Sequence, residues 1–242
     1  MALKYRTKGF VFKKEERSEF DQTFSIFTKD FGRIELKAKA IRKITSKLRS
    51  GIDIFYLSEI EFVQGKNSKT LTDAVSLKKN NNVFKNFRKL EVLCQIAKTL
   101  DDFIKGQDKD SATFDLLLEF FDKMGDDSLK SEKYKLAFQY FFWNFISSQG
   151  YRLQTENCAC CRKPLDPYDL YFSSSSGGVI CGDCSASDKK SKKINSDIVK
   201  VLRLILKKDW RTVSKLKVEL SSQNLLEDVL ENAIHTFCPV HC

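Results

Sequence analysis

Histidine, proline and glycine are scarce in this sequence, and each shortage removes a class of protein. Only 2 His occur among 242 residues, His235 and His241, both near the C-terminus. An acid–base mechanism built on imidazole therefore has almost nothing to work with. With 3 Pro and 10 Gly, the chain is neither collagen-like nor of low complexity. No apolar run reaches the ~18 residues that mark a membrane span, and even LAFQYFFWNFI is too short. The opening MALKYRTKGFVFKKEERSEF has no apolar h-region, which predicts a chain without a secretory signal, cytoplasmic and without a membrane partner. Also missing are a P-loop, a G-x-G-x-x-G after a strand, an H-E-x-x-H and a G-x-S-x-G. The acidic pairs Asp101–Asp102 and Asp126–Asp127 fall at helix ends or in loops, where capping and solvation account for them. The expectation is a protein that is not an enzyme.

What is present points to a folded, basic chain. It is 42% hydrophobic with 20 Phe, enough to bury a core in one large domain or two modest ones. The net charge is +10 and it is uneven. Residues 1–50 carry 14 Lys and Arg against 6 Asp and Glu, whereas residues 51–150 carry 14 against 15. Such concentration predicts a polyanionic partner, nucleic acid before anionic membrane.

Residues 5–78 read as strands. KGFVFKK, TFSIFTKD, GRIELKAKAI, IDIFYLSEIEFV and KTLTDAVSL each show partial alternation, separated by turn signals at Asp30–Gly32, Ser50–Gly51 and Gln64–Ser68. Five short strands in this space suit a small barrel such as the OB-fold, with a small sandwich as the rival. From Asn82 the period becomes helical. Val83, Phe87, Leu90, Cys94, Ala97 and Ile104 mark one helix, with Asn81 or Asn82 available as its cap, and Cys94 reads as a small buried hydrophobe. Phe114, Leu117, Leu118 and Phe121 mark a second helix after Ser111. Tyr134, Phe138, Phe141, Phe142 and Phe145 mark a third, closed by Gly150. SASDKKSKK reads as a polar linker, followed by helices starting near Ser196 and at Ser221 or Ser222. The fold class expected is α+β: an OB-fold-like barrel at 1–80, then a helical domain at 81–242 with a zinc-binding insert at about 156–186.

The insert rests on cysteine spacing. Cys158-x2-Cys161, 19 residues and Cys181-x2-Cys184 make two tight turns whose thiolates converge, a tetrahedral set suited to one structural Zn²⁺. Between them LYFSSSSGGVIC reads as a hairpin, with Gly177 and Gly178 at its bend. A reducing location favours metal over a disulfide. Cys160 is expected to be a spectator, and the terminal Cys238, His241 and Cys242 a frayed tail. Four thiolates leave no open position for water, so this zinc would build the fold rather than catalyse.

For nucleic acid the candidates are Arg33, Lys37, Lys39, Arg42, Lys43, Lys47 and Arg49, seven cations within 17 positions. The first three share one strand face and the rest follow in a loop, a stripe able to track a phosphate backbone. Lys4, Arg6, Lys8, Lys13 and Lys14 would widen it. Phe10, Phe12 and Phe27 would stack on bases if exposed, although strand aromatics are more often core. No base-reading constellation is visible, so binding without sequence preference is expected.

Three stretches in order carry a resemblance: GRIELKAKAIRKITSKL, FISSQGYRLQTENCACC and GGVICGDC. Together they resemble the bacterial RecO family of recombination mediators, from the front strands to the last helices. Ala40 stands where that family usually has Gly, Leu153 replaces a usual Pro, and CPVHC is not a family feature. The resemblance implies binding of single- and double-stranded DNA, a RecR-like ring-forming partner, contact with the acidic tail of single-stranded-DNA-binding protein, and help in recombinase loading and strand annealing. Tyr140, Trp143, Tyr151 and Arg152 are candidates for the tail contact. The alternatives are a zinc-ribbon RNA-binding factor and a structural adaptor for an acidic protein.

Overall fold

A computed structural model of the chain describes residues 3–79, 81–125 and 129–238. Asp126, Asp127, His241 and Cys242, named above, lie outside the described residues. The chain divides into two compact units, Met1–Ser131 and Glu132–Cys242.

In the first unit the five alternating runs become β1 (Lys4–Glu16), β2 (Gln22–Thr28), β3 (Gly32–Ala38), β4 (Tyr56–Gln64) and β5 (Lys69–Lys79). They pair in a closed ring, β1-β2-β3-β5-β4, in which β1 returns to β4. Every pairing is antiparallel except β3 with β5, which is parallel and rests on two residue pairs, Leu36↔Lys69 and Lys37↔Thr70. The alternation in β3 is why it sits as it does: Ile34, Leu36 and Ala38 face a core shared with Val11, Phe24, Ile26, Ile60 and Phe62. Each of these side chains larger than Ala38 contributes about 1.5–3 kcal/mol by leaving water.

Phe10, Phe12 and Phe27 do not face solvent. All three are buried; the Phe10 ring centroid lies 3.9 Å from that of Phe121, in the second of two helices that pack in this unit. These helices are α1 (Phe87–Phe103) and α2 (Ser111–Gly125). They bury strand residues on the outer side of the ring as well, which is why the period-two pattern of β1 and β2 is only partial.

Two expectations for α1 are corrected. Its cap is Asn86, whose side chain accepts from the backbone N–H of Arg88 and Lys89, because Asn81–Lys85 form a separate 3₁₀ turn that buries Val83 first. The buried stripe is Val92, Leu93, Ile96 and Leu100, so Cys94 is exposed. Restarting the helix after the 3₁₀ turn shifts its phase away from the one counted from Val83.

The second unit is built round α3 (Tyr134–Ser148), in which every residue from Leu136 to Ile146 is buried. A helix apolar all round belongs at a centre. Its two amides are satisfied: Gln139 Nε2 donates to Leu226 O and Asn144 Nδ2 to Ile205 O. Around it lie β6 (Leu170–Ser173), β7 (Gly178–Cys181), the single turn α4 (Gly182–Ser185), β8 (Lys192–Ile194), α5 (Ser196–Leu206), α6 (Trp210–Val213) and α7 (Leu220–Phe237). The strands order as β7-β6-β8. The expected linker therefore ends in a strand, pinned by buried Ile194. Three residues are too few to display an alternation. No described helix is long and apolar enough to cross a membrane.

Candidate nucleic-acid interface and metal centre

The hairpin expected between the knuckles is β6–β7, with both Gly177 and Gly178 at positive φ. It returns Cys181 and Cys184 to Cys158 and Cys161, and the four Sγ atoms lie within 4.8 Å of one another. Cys161 Sγ and Cys181 Sγ are 3.8 Å apart. Four sulfurs at ~2.3 Å from a tetrahedral ion would be separated by ~3.8 Å, so the donor set fits such an ion. Cys158 is buried, which works against a thiolate. The backbone N–H groups of Cys161, Cys181 and Cys160 outweigh that and bring its thiol down to about 6. Hydrogen bonds with Cys181 and Cys161 push the Cys184 thiol up. Without a cation, one thiolate is welcome here and a second is not; a divalent ion removes that conflict. Cys160 is exposed and stands outside the four. No disulfide occurs among the described residues.

The seven candidate cations do not share one environment. Arg33 is held by protein: Nη2 meets Asp101 Oδ1 at 2.6 Å, while Nη1 donates to Asp101 O at 3.1 Å and Ile104 O at 2.7 Å. Its guanidinium also lies over the Phe12 ring, 5.3 Å from the centroid. Arg42 pairs with Glu16 at 3.2 Å, and Lys43 lies over the Phe20 ring. Lys37, Lys39, Lys47 and Arg49 are exposed and make no ion pair among the described residues. Of the widening set, Lys4, Arg6, Lys13 and Lys14 are each within ion-pair distance of a carboxylate; Lys8 has none among the described residues.

The segment between β3 and β4 is shaped by Ala40, which adopts φ 53°, the left-handed region that favours glycine. The turn is thus as sharp as the glycine form would make it, and the alanine bears the strain. Asp21 Oδ1 accepts from Ala40 N at 2.7 Å and helps to hold it. Buried Ile41 and Ile52 anchor the segment to the core, and Lys47–Ser50 form a 3₁₀ turn.

Sequence inspection missed a groove of about 780 Å³ beside β3, lined in part by Lys66, Lys69 and Lys105. These lysines are remote from the basic run in the chain, and only the fold collects them. In the second unit, Tyr140 and Trp143 are core residues, bonded to Lys208 O and Gln139 Oε1, while Tyr151 and Arg152 are exposed.

Two family models match the chain, and they meet at a different place from the two compact units. The model described as "Recombination protein O N terminal" matches residues 1–80, and "Recombination protein O C terminal" matches residues 85–236. Among similar curated proteins, a DNA repair protein RecO of Dehalococcoides mccartyi is 28% identical over 92% of this chain and 86% of its own. The one from Caldanaerobacter subterraneus is 26% identical over 88% and 84%, and that from Alkaliphilus metalliredigens 26% over 95% and 92%.

Proposed function

This chain belongs to the RecO family, whose matched members are named DNA repair proteins, and on that premise we propose that it is a non-enzymatic, DNA-binding recombination mediator with one structural zinc ion. The ring of five strands is then an OB-fold, and the chain works in the cytoplasm, at the nucleoid when on DNA. The observation that carries this reading is the run from Lys37 to Arg49, in which Lys37, Lys39, Lys47 and Arg49 are exposed without a carboxylate partner among the described residues. Lys43 and Arg42 extend it. Arg33, held by the end of α1, supports the strand rather than the ligand.

Contacts from this run would fall on phosphates. The exposed cations offer charge without a base-reading pattern, and Phe10, Phe12 and Phe27 are buried, so no sequence preference is expected. Neutralising about five phosphates on a single strand gives a log–log salt slope of roughly −3.5. Such contacts form and break readily as ionic strength changes. That suits a protein that holds one strand while another pairs with it.

Cys158, Cys161, Cys181 and Cys184 would hold the zinc, which supplies a cross-link and no reactive position. The family resemblance adds a RecR-like ring protein and the acidic tail of single-stranded-DNA-binding protein as partners. Exposed Tyr151 and Arg152 remain on the surface for the latter. The test is annealing of complementary strands, bare and coated, together with salt titration of oligo-dT binding. Absence of both annealing and low-salt DNA affinity would reject the mediator role.

A further inference from the structure

Ile44, between β3 and β4, is an apolar side chain left in water. It is 92% exposed, whereas Ile41 and Ile52, which bracket it, are buried in the core of the ring. Successive backbone turns shape the chain between these anchors. Lys43 N donates to Ala40 O at 3.2 Å, Ser46 N to Lys43 O at 3.0 Å and Gly51 N to Leu48 O at 3.0 Å. Ile44 is therefore the second residue of the Lys43–Ser46 turn, a position at which turn geometry rewards proline and not isoleucine. Arg42 N also donates to Phe20 O at 3.1 Å, and Lys43 Nζ lies 5.2 Å from the centroid of the Phe20 ring. The turn between β1 and β2 thus props the base of the segment. Cations stand on both sides of the isoleucine, Arg42 and Lys43 before it, Lys47 and Arg49 after it. From Lys39 to Gly51 it is the one exposed large apolar side chain.

We propose that Ile44 is a wedge that enters the base stack of a duplex at a weakened step, such as a mismatch, while the flanking cations hold phosphates on either side. The wedge rests on the DNA-binding reading above and adds a ligand class to it, paired DNA with an interrupted stack. Apolar side chains, isoleucine among them, serve as wedges between base steps where cations grip the adjacent backbone. One aliphatic side chain is too small to dock a protein, which needs about 1,000 Å² of buried surface, but it matches what one opened step admits. Opening a step costs stacking, and the cost is least where pairing is already broken. The turns that hold the tip reduce the ordering cost of binding. Insertion needs no hydrogen bond to a base edge, so the preference is for a weak stack and not for a sequence. Two strands that have paired imperfectly present such steps.

The experiment measures binding of the unaltered full chain, Ile44→Ser and Lys47→Gln across salt. The ligands are a fully paired hairpin duplex, the same duplex with a central mismatch, and oligo-dT. A fluorescent adenine analogue beside the mismatch, quenched by stacking, reports insertion. The unaltered chain should bind the mismatched duplex roughly tenfold more tightly than the paired one, because part of the unstacking is already done, and should brighten the analogue. Ile44→Ser should lose both the preference and the brightening, with its salt slope, oligo-dT affinity and melting transition unchanged. Lys47→Gln should lose about 0.9 from the duplex slope and keep the preference. No preference in the unaltered chain, or a preference that survives Ile44→Ser, overturns the wedge. An equal loss on all the ligands overturns it too, since Ile44 is then a general contact. An unaltered chain that binds none of the ligands at low salt removes the DNA-binding reading, and the wedge with it.

Discussion

Replacing Arg33 by Ala separates a structural cation from a phosphate contact. The guanidinium joins β3 to the end of α1 through one charge-assisted bond to Asp101 and two bonds to backbone carbonyls. Its side chain is 13% exposed and that of Asp101 29%. Removing one partner of a fully buried pair costs about 3–5 kcal/mol. Partial exposure of Asp101, and its second partner Lys13 at 3.0 Å, reduce this to about 2–4 kcal/mol. Thermal unfolding of the full chain should show the transition of the first unit falling by on the order of 10 °C. Lys37→Ala, on the same strand but exposed, should stay within about 0.5 kcal/mol of the parent.

The effect also has a pH signature. Burial works to raise the Asp101 carboxyl, but its bonds with Lys13 and Arg33 prevail and hold it below the usual carboxylate value of 3.8. Its contribution is complete above that value and is lost as pH falls through the depressed one. The gap between the parent and Arg33→Ala should therefore narrow below about pH 4. If Arg33→Ala leaves the melting transition in place while weakening DNA binding as much as Lys37→Ala does, Arg33 is a phosphate contact and the clamp is wrong.

Other substitutions probe the metal centre and the strained turn. Cys181→Ser should lose bound zinc and solubility while Cys160→Ser keeps both, measured as zinc released per chain; full zinc in the first variant would refute the ligand set. Ala40→Gly should stabilise the chain by about 0.5–1 kcal/mol in urea unfolding, because glycine accepts φ 53° without strain; a loss of stability would show that the alanine side chain is needed. Gly178→Ala places a methyl against the Gln154 carbonyl and should open the β6–β7 hairpin, lowering zinc content; retention of full zinc would show that the knuckles close without it.

Much of the fold was legible because its signals are local. Alternation in GRIELKAKA marks β3, since Ile34, Leu36 and Ala38 must share a face whatever they pack against. Glycine at 177 and 178 marks a bend. Paired C-x-x-C turns mark a ligand set, because each turn aims two thiols at one point before any tertiary contact forms. Cys94 was illegible for the same reason: a helical stripe has a phase, and the 3₁₀ turn at Asn81–Lys85 resets it. β8 was too short to carry a pattern.

The sequence by itself determined the order of the five front strands and the longer helices, the tetrathiolate spacing and the excess of positive charge near the N-terminus. Tertiary structure alone decided which cations are available. Arg33 reads like Lys37 in the chain, but the end of α1 takes up its donors, and four of the five N-terminal cations meet carboxylates brought over by other segments. Conversely, Lys66 and Lys69 join Lys37 and Lys39 because β5 pairs beside β3, and Lys105 joins them because Arg33 ties β3 to the end of α1. Charge is a property of composition, whereas the field a ligand meets depends on distances between residues far apart in sequence, and those exist only once the chain has folded.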